Sequence, residues 1–204
     1  MWLTGLPAEI GFATLRAILK LWLGFRARHS GAFSVGNGPT MHAALIGICY
    51  GDEPARMRAL TRATTRVTHT DPKAEYGAFA VAYAAHIAAM SWHDITEKAF
   101  LKRLSQHIAD GEFVALMRNV VESVARGETA ETFARSIGCT HGVSGYMYHT
   151  LPCVPQVWLS HQHDYRAALT TMIRLGGDAD TTAATLGAIV GARVGTAGMD
   201  RQSC

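Results

Sequence analysis

The stretch Gly176-Gly177-Asp178-Ala179-Asp180-Thr181-Thr182-Ala183-Ala184 concentrates the chemistry of this chain. Two carboxylates stand two residues apart, a hydroxyl follows directly, and small residues run on through Gly187, Ala188 and Gly191. A hard cation such as Mg²⁺ takes oxygen ligands at short distance in near-octahedral geometry. Asp178, Asp180 and Thr181 offer three such oxygens from one turn, and the paired glycines let the backbone bend into it. The same residues also suit a helix start, with Asp180 or Thr181 as N-cap and Asp178 favoured at the positive end of the helix dipole. Spacing alone leaves both readings open.

Outward from that turn, the dominant hydrophobic period is 3.6 rather than 2, so helices are expected throughout. The last helix covers 181–194, and a helix over 164–175 stops at Gly176-Gly177. Residues 147–159 are apolar but are expected to be broken by Pro152 and Pro155. A loop over 138–145 follows a short helix at 129–137, and two amphipathic helices occupy 96–109 and 112–126. Asp71-Pro72 marks a helix start, Asp as N-cap and Pro at the first position, leading through Tyr76, Phe79, Ala80, Tyr83, Ala84 and Ile87. Earlier helices are expected at 54–68, with Arg56, Arg58, Arg62 and Arg66 on solvent, and at 41–50. Leu15, Ile18, Leu19 and Trp22 make a first helical stripe, separated from the next helix by a break at 29–39. The reading is a single all-α domain over 1–204, with Leu45, Ile48, Phe79, Tyr83, Ile173 and Leu186 in its core.

The 204 residues are 49% hydrophobic and 17% charged, which suits a folded domain and excludes a disordered chain. A net charge of +3 without a basic block argues against a nucleic-acid surface. Arg16 and Lys20 interrupt the apolar segment 10–25, so no membrane span is expected, and the acidic Glu9 before it speaks against a signal peptide. Cys49, Cys139, Cys153 and Cys204 form no CxxC pair or disulfide framework. Each reads as a small buried residue, and a reduced, cytoplasmic compartment is expected.

Four segments, GNGPTM at 36–41, THTDP with EYGA at 68–78, SGY through HTLP at 144–152 and GGDADTTAA at 176–184, stand in this order along the chain, and together they are similar to the ADP-ribosylglycohydrolase family. GGDADTTAA, followed by the Gly- and Ala-rich LGAIVGARVG, resembles its GGD-x-DT metal turn and helix. Gly36-Asn37-Gly38-Pro39-Thr40-Met41 resembles its GNG-x-x-MR loop. Thr68-His69-Thr70-Asp71-Pro72 with Glu75-Tyr76-Gly77-Ala78 resembles its TH…P…GA segment, and Ser144-Gly145-Tyr146 through His149-Thr150-Leu151-Pro152 matches a further one. The resemblance implies an orthogonal multi-helix bundle with a two-Mg²⁺ cleft that hydrolyses the N- or O-glycosidic bond of ADP-ribose to a protein or small carrier. Carried over residue by residue, Asp178, Asp180 and Thr181 are expected metal ligands. Gly36, Asn37 and Gly38 are expected to line the diphosphate, since N–H groups of a Gly-rich loop before a helix suit an anion. His69, Gly145 and Tyr146 are expected to face the ribose or adenine.

The family's early Ser/Thr-Asp-Asp motif has no counterpart, since no two Asp are adjacent, and the family's Arg after Met is His42 here. The resemblance therefore implies a bundle truncated at both ends, with half the ligands of a binuclear Mg²⁺ site and an exposed apolar patch. Weak metal binding and little turnover are expected from such a chain. The alternative is a module that binds ADP-ribose without catalysis, or a truncated remnant with no ligand. A rival class, the HD-type phosphohydrolases, would cast His141, His163, Asp164 and Asp180 as ligands, although His161 and His163 also suit a solvated helix entry. His86 and His107 read as half-buried, Trp2, Trp22, Trp92 and Trp158 as core or cleft-edge aromatics, and Tyr76 and Tyr83 as packing. Composition and motifs single out no general acid or base, and the oligomeric state is open.

Overall fold

Small residues decide how closely the helices of this protein approach one another. The computed structural model describes residues 11–91 and 93–200. Trp2, Trp92 and Cys204 lie outside them. The helices are α1 (Phe12–Trp22), α2 (Thr40–Tyr50), α3 (Pro54–Arg66), α4 (Pro72–Met90), α5 (Glu97–Ser105), α6 (Gly111–Ala125), α7 (Ala130–Ser136), α8 (Met147–Ser160), α9 (Tyr165–Arg174) and α10 (Ala179–Asp200). The fold is all-α, as the 3.6 period requires. Among the described residues no helix is long and apolar enough to cross a membrane.

Helix α4 is the axis of the bundle. Ala74, Gly77, Ala78, Ala80, Val81, Ala82 and Ala85 are buried around its whole circumference, and α2, α3, α8 and α10 all pack on it. A helix apolar on every side belongs inside a domain. Asp71 caps its start, the carboxylate accepting from the Lys73 N–H at 2.8 Å. Gly47 of α2 sits against the backbone of α4, where a β-carbon would collide with the Ala82 carbonyl.

This close contact reverses part of the expected core. Phe79, Tyr83 and Leu186 are buried, but Leu45, Ile48 and Ile173 are exposed. Helix α2 turns Ala43, Ala44 and Gly47 inward and leaves Met41, Leu45 and Ile48 outside, because only small side chains fit at the crossing. On α1 the buried residues are Ala13 and Ala17, while Leu19 and Trp22 face solvent. Cys139 and Cys153 are buried as expected, but Cys49 is exposed on the outer face of α2.

Helix α8 is a second correction, for Pro152 and Pro155 lie inside it and do not end it. A proline in a helix interior costs about 3 kcal/mol. Leu151, Val154, Val157 and Trp158 are all buried, and each such side chain contributes about 1.5–3 kcal/mol, which outweighs that cost. Trp158 packs edge-on against Phe100 at 5.3 Å between ring centroids. Helix α10 begins two residues before the expected 181 and holds regular geometry until Gly195, where φ is 62° and the axis kinks.

The crossing at Gly47 yields a stability prediction. Gly47→Ala should lower the free energy of unfolding in urea by about 2–3 kcal/mol, because α2 and α4 must separate. Gly111→Ala, with nothing near its added methyl, should be neutral or slightly stabilising. Equal midpoints for Gly47→Ala and the parent would show that the two helices do not meet at Gly47.

Candidate active site

Three isolated backbone pairings tie loops into one surface. Ala32 pairs with His69, Gly36 with Tyr146, and Val143 with Gly177. In the last, the Asp178 N–H donates to the Val143 carbonyl at 2.7 Å and the Val143 N–H donates to the Gly176 carbonyl at 3.1 Å. Gly177 has φ of 79°, and a β-carbon there would strike the Val143 carbonyl, so both conformation and space demand glycine. The turn before α10 is thus held from outside by the loop that precedes α8.

These pairings gather distant residues around a cavity of about 460 Å³. Its walls include Gly36, Asn37, Gly38, His69, Gly145, Asp178, Asp180 and Thr181. Tyr146 is not among the wall residues. It pairs with Gly36 through its backbone, and its half-exposed ring packs edge-on against His149 at 5.1 Å. Phe12, Thr14, Ser34 and Met41 also line the cavity. Met41 belongs to the quoted 36–41 segment, but no sequence signal marked Phe12, Thr14 and Ser34, because ordinary residues on α1 and the next loop become wall residues only when those segments fold over the site.

Asn37 makes the central contact. It is 5% exposed, and its side-chain nitrogen donates to the Asp178 carboxylate at 2.7 Å and to the Thr150 hydroxyl at 2.9 Å. An ionised carboxylate only accepts, so the amide must turn its nitrogen this way. The Asn37 side chain is thus committed to Asp178 and Thr150, within the loop whose backbone was expected to line a diphosphate. Asp178 also caps α10 through its carbonyl, which accepts from the Thr182 N–H at 3.1 Å and the Thr182 hydroxyl at 2.9 Å. Cap and cavity wall are therefore one residue. Gly145 keeps room for its side chain, since a β-carbon there would lie 3.1 Å from an Asp178 carboxylate oxygen.

His69 is buried with its ring edge against the loop, where a β-carbon on Gly36 would come within 2.7 Å of Nε2. Its Nδ1 is 2.8 Å from the Thr68 hydroxyl, which in turn donates to the Thr65 carbonyl at 3.5 Å. His69 is also one of the wall residues of the cavity. Burial and the neighbouring His42 push the imidazole below its ordinary value. No Lys or Arg is among the described wall residues, so positive potential comes from the N-termini of α2 and α10, which both start there.

The HD-type arrangement is not assembled. Asp164 caps α9 by accepting from the Ala167 N–H at 2.8 Å, and His163 is 2.5 Å from Asp94 and 3.2 Å from Arg193. His141 is exposed, and none of the three lines the cavity with Asp180. Among the described residues no group of three or more His, Cys, Asp and Glu is placed to hold a metal. The two carboxylates and one hydroxyl of the 178–181 turn are the oxygen donors in question.

A sequence model of the family described as ADP-ribosylglycohydrolase matches residues 1–203. Human ADP-ribosylhydrolase ARH3 is 28% identical over 196 residues, covering 83% of this chain and 53% of the human protein. An uncharacterized protein of Archaeoglobus fulgidus is 28% identical over 187 residues, covering 91% of this chain and 58% of its own length. A solved structure described as an ADP-ribosylglycohydrolase-related protein complex is similar at a TM-score of 0.69 and 26% identity, over 93% of this chain and 60% of that one. This chain therefore spans between half and three fifths of the relatives it matches.

The depressed His69 imidazole predicts a pH dependence. The unfolded chain takes up this proton more readily than the fold does, so stability is full above pH ~6.5 and falls as pH drops through the lower folded value. Denaturation at stepped pH should show that loss, and His69→Gln should reduce it. A proton-NMR midpoint for His69 at or above ~6.5 would contradict the buried, neutral ring.

Proposed function

The chain belongs to the ADP-ribosylglycohydrolase family, and from that membership we propose that its cavity takes an ADP-ribosyl group and supports hydrolysis of the N- or O-glycosidic bond at the ribose anomeric carbon. The substrate class is an ADP-ribosylated protein or a small ADP-ribose derivative. The observation that carries this reading is the convergence of the 36–38 loop, His69, Gly145 and the 178–181 turn on one cavity. Its volume lies in the range of about 300–1,000 Å³ usual for small-molecule sites. The Gly36–Gly38 backbone and the start of α2 suit a diphosphate. The neutral imidazole of His69 suits a hydrogen bond with a ribose hydroxyl.

The donor set fits one hard cation. Asp178, Asp180 and Thr181 offer only oxygens, and two like-charged carboxylates in one turn favour a positive partner between them. Mg²⁺ bound there would supply Lewis acidity and a water more readily deprotonated than bulk water. The chain's own part is to fix the carboxylates, present the N–H groups of the loop, and orient the ribose against His69. A second reading, binding without turnover, is favoured by one observation. Asp178 and Asp180 are the carboxylates in the described wall, whereas two Mg²⁺ ions need about a dozen ligand positions.

The protein with Mg²⁺ and an ADP-ribosylated substrate should release ADP-ribose slowly and only with the metal. Asp180→Asn should lower that release at least about tenfold, the scale on which disturbing a metal's surroundings acts. ADP-ribose binding measured by calorimetry without metal should change little. Undiminished release by Asp180→Asn would make the turn a helix start alone. Binding without release under any condition would select the second reading, and neither binding nor release would reject both.

A further inference from the structure

We propose that Thr150 is a positioning residue for the candidate cation site, acting on Asp178 through the side chain of Asn37. The inference rests on the reading of Asp178 as a cation ligand. Thr150 is fully buried in the first turn of α8 and is not part of the cavity wall. Its hydroxyl accepts from the Asn37 amide at 2.9 Å and donates to the Ser144 carbonyl at 3.3 Å.

The relay has little freedom apart from this hydroxyl. The Asn37 backbone is held on both sides: its N–H donates to Gly145 at 2.9 Å, and its carbonyl accepts the Thr40 hydroxyl at 2.7 Å. Thr40 is anchored in turn 2.8 Å from the Thr185 hydroxyl of α10. What remains free is rotation of the Asn37 side chain. One of its two amide protons goes to Asp178 and the other to Thr150, so two acceptors define the amide plane. One Asp178 oxygen, Oδ2, is thereby fixed in place. Without the Thr150 hydroxyl, a buried amide proton loses its partner and the amide can turn away from the carboxylate.

Thr150→Val and Thr150→Ser separate this role from packing. Val keeps the shape and loses the hydroxyl, while Ser keeps the hydroxyl and loses the methyl. A packing role favours Val, and a positioning role favours Ser. The probe is Mn²⁺ alone, titrated into the whole protein and followed by the electron paramagnetic resonance of the free ion. Thr150→Val should weaken Mn²⁺ binding about tenfold, the low end for removing a group behind a metal ligand. Thr150→Ser should stay close to the parent, and ADP-ribose affinity in EDTA should be unchanged in both. Thr150→Ala removes the same hydroxyl should the Val variant not fold. Mn²⁺ binding by Thr150→Val equal to the parent, or Ser weakened as much as Val, would overturn the inference while leaving the cation site standing. Absence of Mn²⁺ binding by the parent would instead overturn the cation reading, and this inference with it.

Discussion

The Asn37 amide joins residues 141 positions apart when it donates to the Asp178 carboxylate. Hydrogen bonds to charged groups contribute about 1.5–3 kcal/mol, the upper part of the range for single contacts. This one also sets geometry, because Asn37 stands three residues before the start of α2 while Asp178 immediately precedes α10. Two helix starts and the first turn of α8 meet at one side chain. The cavity exists where these starts converge, and its position follows from that joint.

The joint can form only because α2 and α10 approach α4 closely. Ala43, Ala44 and Gly47 on α2, and Leu186, Ile189 and Val190 on α10, are buried in the same assembly around the alanine-rich α4. Larger residues at the α2 crossing would push its axis outward and carry the 36–38 loop away from the Asp turn. The bulky Leu45 and Ile48 are consequently on the outside, with Met41 at the cavity rim. Close packing at the axis and apolar exposure on the outer face are two results of one steric condition.

Electrostatically the described wall is acidic, and backbone dipoles relieve that only in part. Asp178 and Asp180 share one turn, His69 is held toward its neutral form, and no Lys or Arg joins them. A diphosphate entering such a wall meets N–H groups and helix N-termini at one end and two carboxylates at the other. In the proposed function, a cation between the carboxylates would reconcile the two ends.

The hydrophobic period and the helix signals determined the all-α class, and residue chemistry alone singled out the 178–181 turn. Asp71 before Pro72, and the paired glycines before α10, are local signals whose cause lies within a few residues, so they are legible in one dimension. Whether Asp178 caps a helix or faces a cavity depends on Asn37 and Val143, far away in the chain, and the structure gives it both duties. Similarly, Pro152 and Pro155 break helices by local rule, yet α8 persists because its neighbours bury it on every side. The exposure of Leu45 and the burial of Ala43 follow from the distance between two helix axes. Local propensity acts over a few residues, whereas burial and cross-chain hydrogen bonds depend on what each segment meets, and only the packed fold decides that.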